Sequence, residues 1–395
     1  MSVLTTMVGR SGARDVTRRT SYHIELLSDW PQAAAGWGAC DPSTPFQHPQ
    51  WVAAWYGAFA TTRGIVPLIA VITDASTGER TALLPLILRQ QDGVRIVEFA
   101  DLDLTDYNAP LLGPAAPRDA RSARLMWRDL LAALRKVPGG ADLIRLRKLP
   151  LDLGGRPNPL ALLDAAGPCS LNGNLIVTGD DYDAWRYSLE RTARKELERS
   201  WRVFTRHPEA GFRLAADADE ALTFLATTDV QQGTRMQSLG LNFILNEEGC
   251  AAFYRSLVRD GTAGGYAVAS ALTAGGEIVA TLLGIRTGSR YVMIRISNAG
   301  GHWSNCSPGR LIIERTMAAL HQDGVREFDF SIGNYAYKRR FGVTRTPLVD
   351  LSAALSWRGV PYALRDRAAR ELRRYPRFAA RLKRALGKPP SREES

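Results

Sequence analysis

An α/β fold of two tandem units, each a mixed sheet flanked by helices, is what this sequence predicts. Three observations carry the expectation. The order helix, strand, strand, strand, helix, strand can be traced in each half of the chain. The 395 residues, 45% hydrophobic and 23% charged, leave room for two cores of ordinary size. Residues 290–330 read as strand, small-residue turn, helix and strand, and a helix mouth bared in that way suits a phosphate.

The elements follow in order. Residues 1–20 are polar, rich in arginine and without periodicity, and are expected to be disordered. A first domain is expected over 21–168. Trp51, Trp55 and Phe59 recur at helical spacing within 44–59. Strands are expected at 66–73 and 81–89, parted by the turn residues Asp74, Ser76 and Gly78, and again at 95–99 and 143–148, with a helix at 125–134 between them. Residues 151–167 carry Gly154, Gly155, Pro157 and Pro159 and read as a linker.

The second domain is expected over 169–357. It opens with one long basic helix at 183–202, followed by helices at 220–231 and 247–260 and a hairpin of 266–272 with 278–286 around Gly275 and Gly276. A strand at 290–296 precedes a helix whose start is well marked. Ser307 suits the N-cap, Pro308 the first helical position, and Gly309 keeps a side chain off the helix mouth. Leu311, Ile312, Met317 and Leu320 form its apolar face, Gly324 ends it, and 325–330 reads as a short buried strand.

Charge is concentrated at the ends. Residues 358–395 hold 12 Lys and Arg against 4 Asp and Glu, and the first twenty hold 4 Arg against Asp15, so 21–357 is neutral within the overall +11. Leu364, Ala368, Leu372, Phe378, Leu382 and Leu386 make 362–386 a basic amphipathic helix interrupted at Pro376. Such a tail could dock on the body, lie on an anionic membrane surface, or grip tRNA phosphates. It is expected to contribute little to the core. No apolar run approaches the length of a membrane span, and the N-terminus lacks the apolar stretch of a secretory signal. The four scattered cysteines fit a reducing, cytoplasmic setting.

The chemistry expected of the chain is acyl transfer, which needs a held carrier, an acceptor that loses a proton and a stabilised oxyanion. Ser307, Gly309 and Arg310 sit where a helix N-terminus would take a pyrophosphate; a plainly capped structural helix is the other reading. Asp329, between Phe328 and Phe330, either serves as a base with a raised pKa or fixes the following loop through backbone N–H groups. Asp106 with Tyr107 is placed to meet an acceptor from the first domain. His302 is a lone histidine, and Cys306 has no histidine partner. The five histidines lack ligand spacing, so no metal is expected, and neither a phosphate-binding P-loop nor a nucleophile elbow is present.

The segment Ser307-Pro308-Gly309, Asp329, Gly333 and Tyr337-Lys338-Arg339-Arg340-Phe341 resembles the C-terminal half of GNAT-type acyltransferases. The variety it is most similar to is the acetyltransferases associated with cellulose biosynthesis, related to Fem-type aminoacyl transferases. Pro45-Phe46, Pro49 and Trp51, the run 105–111, and Arg191, Arg194 and Lys195 resemble further hallmarks of that variety, while 231–235 matches less well. The usual GNAT phosphate motif, Arg/Gln-x-x-Gly-x-Gly/Ala, is reduced here to Ser-Pro-Gly-Arg. The resemblance implies two tandem GNAT-like units with the cleft between them and acyl-CoA as co-substrate. It implies Lys338, Asp329 and Asp106 in catalysis, with Ser307, Gly309 and Arg310 on the donor. Tyr107, Asn108, Arg194, Arg235 and Tyr337 are implied on the substrate. The acceptor would be a small molecule, glycan or peptide. Aminoacyl transfer from tRNA is the alternative reaction, and a degenerate GNAT scaffold acting as a binding module is the alternative outside enzymes.

Overall fold

The computed structural model describes residues 22–35, 37, 44–333 and 335–375. The expected disorder of 1–20, Cys40, and the tail beyond Tyr375 lie outside the described residues.

One eleven-stranded sheet runs through both halves. Its spatial order is Gly211–Leu214, Ala267–Ala274, Glu277–Thr287, Arg290–Asn298, Glu327–Asp329, Gly167–Val177, Thr344–Ala354, Leu143–Pro150, Val94–Phe99, Leu86–Gln91 and Ile65–Pro67. Among the described residues, two strand pairs run parallel: Val94–Phe99 with Leu143–Pro150, and Arg290–Asn298 with Glu327–Asp329. Parallel neighbours need a crossover, and each pair has a helix there, Ala120–Leu134 in the first half and Pro308–Gln322 in the second. The tandem unit expected from sequence is therefore a β-α-β crossover used twice.

The halves do not part at 168. The would-be linker forms a small hairpin, Asp152–Leu153 with Arg156–Pro157, and Gly167–Val177 enters the common sheet directly. Thr344–Ala354, from the end of the second half, lies between that strand and Leu143–Pro150 of the first. Hydrophobic packing joins the halves as well. Trp51 meets Phe253 edge-on at 4.9 Å between ring centroids, so the helix Pro49–Phe59 lies on the helix Cys250–Gly261.

Three expectations need correction. The strands expected at 66–73 and 81–89 each divide, Ile65–Pro67 from Ile69–Asp74 and Arg80–Leu84 from Leu86–Gln91. Pro85 has no N–H to give the ladder, and there the hairpin turns from a separate four-stranded sheet into the large one. The long helix expected at 183–202 is two, Tyr182–Ser188 and Arg191–Phe204, because Leu189 is extended and buried in the core. The tail is not peripheral: Val360–Arg374 is a helix docked on the body, with Arg370 buried and Arg145 bonded to Asp366 through two nitrogens, at 2.7 and 3.3 Å.

Candidate active site

The second parallel pair is the foundation of the site. Arg290–Val292 aligns with Glu327–Asp329 for three residues, and then the strands diverge. Arg290–Asn298 runs on beside Glu277–Thr287. The chain after Asp329 turns away through Ser331, whose φ is 64°, and Gly333, whose φ is 97°. Only a residue without a side chain sits comfortably at Gly333, since an added Cβ would also lie 2.9 Å from the Tyr335 ring. Asn174 pins this turn by donating to the carbonyls of Ser331 (2.7 Å) and Gly333 (2.9 Å).

A cleft of about 740 Å³ opens where the strands part. Met293, Ile294 and Ile296 form one wall, and Phe330, Ser331 and Ile332 the other. The mouth of the helix Pro308–Gln322 closes one end, and Gln232, Arg235 and Met236 of the helix Ala218–Ser238 flank it. Asp106 enters from the first half.

The loop carrying Asp106 is held from the helix bearing the aromatic stripe. Trp51 Nε1 donates to Thr105 (3.1 Å), Trp55 Nε1 to the Asp101 carbonyl (3.3 Å), and Gln47 to the Tyr107 carbonyl (2.9 Å). Ser331 donates to the Asp106 carboxylate across the cleft. Burial pushes the Asp106 carboxyl up to about 7, against the opposing pull of Lys148, with Asp101 adding to the rise and Lys338 subtracting from it.

Lys338 sits on the short helix Ala336–Arg339, only 2% exposed, and donates to the Ile332 carbonyl at 2.5 Å with the Tyr335 ring centroid 5.2 Å away. Burial pulls its ammonium down to about 8, although Asp106 and Asp329 both oppose the fall. The cleft therefore holds an acid and a base whose proton affinities converge near neutrality, the pattern expected of groups that exchange protons with a substrate.

Of the residues singled out from sequence, Asp106, Arg235, Ser307, Gly309, Arg310, Tyr337 and Lys338 line this one cleft. Asp329 does not. It is fully buried behind the turn, where Arg290 and the Tyr107 hydroxyl (2.7 Å) pair with it and the Ser331 N–H (2.7 Å) bonds to it. This is the loop-fixing alternative, and a carboxylate so occupied cannot also serve an acceptor. Tyr107 reaches it over Gly173, where a Cβ would lie 2.4 Å from the phenol oxygen. Tyr107 is thus a buried strut and not a substrate contact.

Asn108 faces away from the cleft, donating to Asp101 (2.9 Å) and to the Arg147 carbonyl (3.1 Å). Arg194 lies over the Tyr187 ring at 5.2 Å, off the cleft. Ser307 occupies the N-cap position in a left-handed conformation without capping; its hydroxyl accepts instead from Arg310 at 3.0 Å. Arg310 also donates to Glu196, which takes Arg340 as well (2.8 Å), so its charge is already matched. Arg235 is exposed at the cleft, and its guanidinium has no bonded partner among the described residues. His302 packs beside Trp303, and the buried Cys306 thiol donates to the Trp303 carbonyl (3.0 Å), burial pushing it up and away from reactivity.

Sequence reasoning missed Asn174, Ser331, Arg290 and Glu196. Each acts through a partner more than 35 residues away, and only Glu196, an acid inside a basic helix, left a visible signal. Among the described residues no group of three or more side chains is arranged to hold a metal ion.

The first-half crossover has its own split. Val94–Phe99 and Leu143–Pro150 pair at two positions, and beyond them a second cleft of about 640 Å³ opens, bordered by Glu98, Phe99, Arg145 and Arg147. It is charged where the other is largely apolar.

Comparison with known proteins agrees with this architecture. Residues 191–339 match the model of the acetyltransferase (GNAT) domain. FemX is 10% identical with a TM-score of 0.54, the alignment covering 83% of this chain and 96% of that one. A conserved protein of unknown function from Bacteroides thetaiotaomicron VPI-5482 is 12% identical with a TM-score of 0.52, covering 85% and 100% respectively. At such identities the likeness is one of fold. Among curated proteins, none matches. No helix among the described residues is long and apolar enough to cross a membrane. Residues 191–339 thus match a GNAT acetyltransferase domain, set within an α/β fold of GNAT-like architecture that uses the β-α-β crossover twice.

Proposed function

We propose that the cleft at 293–338 transfers an acyl group from an acyl-CoA donor to an amine or hydroxyl acceptor. The observation that carries this reading is the divergence of the two parallel strands. Beyond Val292, the edge of Arg290–Asn298 facing the cleft has lost its strand partner. An extended arm bearing amides, such as the pantetheine arm of coenzyme A, can add to that edge as a further strand would. Its phosphates would then lie toward the mouth of the helix Pro308–Gln322, within reach of Arg235. Arg310, matched by Glu196, holds the mouth in shape more than it offers charge.

At the acyl end, Asp106 takes the proton from the incoming acceptor as its nucleophile attacks the thioester carbonyl. Lys338, protonated, donates to the oxyanion, and the thiolate leaves with a proton from the same ammonium or from solvent. The acceptor, a small molecule, glycan or peptide, approaches from the side of the first half that supplies Asp106. The subtype read from sequence, that of cellulose biosynthesis, remains part of this proposal.

Aminoacyl-tRNA as donor is the second reading. It is favoured by the exposed Arg235 at the cleft and by the basic helix Arg191–Phe204, whose Glu196 bonds to Arg310 of the helix mouth. Calorimetry with acetyl-CoA, longer acyl-CoAs and charged tRNA separates the two. Saturable acyl-CoA binding lost on Met293→Glu, which puts charge on the apolar wall, supports the first. Binding of charged tRNA alone replaces it with the second. A folded protein that binds no donor overturns both.

A further inference from the structure

A third pocket, of about 260 Å³, lies between the docked helix Val360–Arg374 and the sheet, and shares no lining residue with the acyl-transfer cleft. Five arginines border it (Arg145, Arg147, Arg365, Arg370 and Arg373) against two acids, Asp350 and Asp366. Both acids are already engaged. Asp366 takes both arms of Arg145, at 2.7 and 3.3 Å. Asp350 accepts from Arg373 (3.0 Å) and from the Lys148 N–H (3.1 Å).

Arg370 is left without a carboxylate in contact. It is 5% exposed, and among the described residues its one bonded partner is the neutral Ser352 hydroxyl, at 2.9 Å. Its stem crosses Gly167, where a Cβ would lie 3.2 Å from two of its carbons, so the chain makes room for this arginine. Burial pulls its proton affinity below the ordinary arginine value. Asp366 and Asp350 oppose that fall from a distance, but neither touches the guanidinium, and a buried arginine with no carboxylate in contact gains from an anion that reaches it. Arg147 is exposed, and its side chain donates to no acceptor among the described residues, although its charge acts on the Glu98 carboxyl.

We infer that this pocket binds a phosphate monoester group. Five arginines against two acids in its lining give the pocket an excess of positive charge, which suits a dianion better than a single carboxylate. Guanidinium forks fit phosphate oxygens in pairs. The volume exceeds that of a bare phosphate, so it also has room for part of a group that carries one. A larger ligand would leave past Arg145 and Arg147, which also border the charged first-half cleft. The phosphate is either free or carried by a small molecule extending along that path.

Calorimetry on the full chain at fixed ionic strength tests this, with inorganic phosphate and glycerol 3-phosphate as probes. Saturable binding is expected, weakened about tenfold or more by Arg147→Ala and by Arg370→Gln. Tighter binding of glycerol 3-phosphate assigns a carried monoester; equal affinities assign phosphate alone. Should Arg370→Gln fail to fold, the exposed Arg147→Ala decides the matter by itself. Absence of saturable binding, or binding that Arg147→Ala leaves unchanged, overturns the inference.

Discussion

The convergence of Asp106 and Lys338 makes a quantitative demand on the pH dependence of turnover. With a base titrating at about 7 and an acid at about 8, the active form needs Asp106 ionised and Lys338 protonated. That combination makes up about 0.6 of the enzyme near pH 7.5, and about 0.1 near pH 6 or pH 9. The rate should follow a bell about sixfold higher at its centre than at those edges. Thiol release from acetyl-CoA, with hydroxylamine as surrogate acceptor, provides the assay. Asp106→Asn should lower the rate by about a hundredfold and remove the acid limb, and Lys338→Met should remove the alkaline limb.

Stability gives a second readout that needs no acceptor. The Asp106 carboxyl is raised from 3.8 to about 7 in the fold, so its contribution is full in acid and is lost as pH rises through about 7. Lys338 is lowered from 10.5 to about 8, so it weighs against the fold below about 8 and is relieved as pH climbs toward its ordinary value. Near pH 8 a folded Asp106 is therefore held ionised at a cost bounded above by about 4 kcal/mol, from 1.36 kcal/mol per unit. Asp106→Asn should melt higher than the parent at pH 8, with the gain vanishing near pH 4. A flat rate profile between pH 6 and 9, or a variant no more stable at pH 8, would refute the assignment.

Two further outcomes concern the scaffold. Phe253 is fully buried against Trp51 and Phe59 where the halves share a core, so Phe253→Ala should cost about 3–5 kcal/mol in urea unfolding of the whole chain. A transition in which one half melts alone would show the halves to be independent. Truncation after Trp357 removes the partners of Arg145 and Asp350 and uncovers the sheet, so circular dichroism melts should fall by several degrees; an unchanged melt would return the helix Val360–Arg374 to the role of an appended tail.

The tandem crossovers, the helix mouth at 307–310 and the cluster around Lys338 were legible because they rest on local signals: apolar period, a proline at the first helical position, a glycine at a left-handed turn. What sequence hid depends on distant partners. Asp329 reads as a candidate base until Arg290 and Tyr107 are seen to occupy both its oxygens. Nothing in the residues before Arg191 announces a helix break, since Leu189 is drawn out by the core and not by a local breaker. Arg310 reads as a phosphate ligand until Glu196, a helix away, takes its charge. Local reasoning finds which side chains gather. It does not find which are already satisfied.

The insertion of Thr344–Ala354 between Gly167–Val177 and Leu143–Pro150 has a consequence for how the chain is made. Leu143–Pro150 emerges from the ribosome about 200 residues before the strand that covers its open edge. Until then that side presents unpaired N–H and carbonyl groups, a template for pairing with another nascent chain. The charged residues Arg145, Arg147 and Lys148 along the waiting strand are the sort that discourage such pairing, so part of the basic character beside the phosphate pocket also guards an unfinished sheet during synthesis.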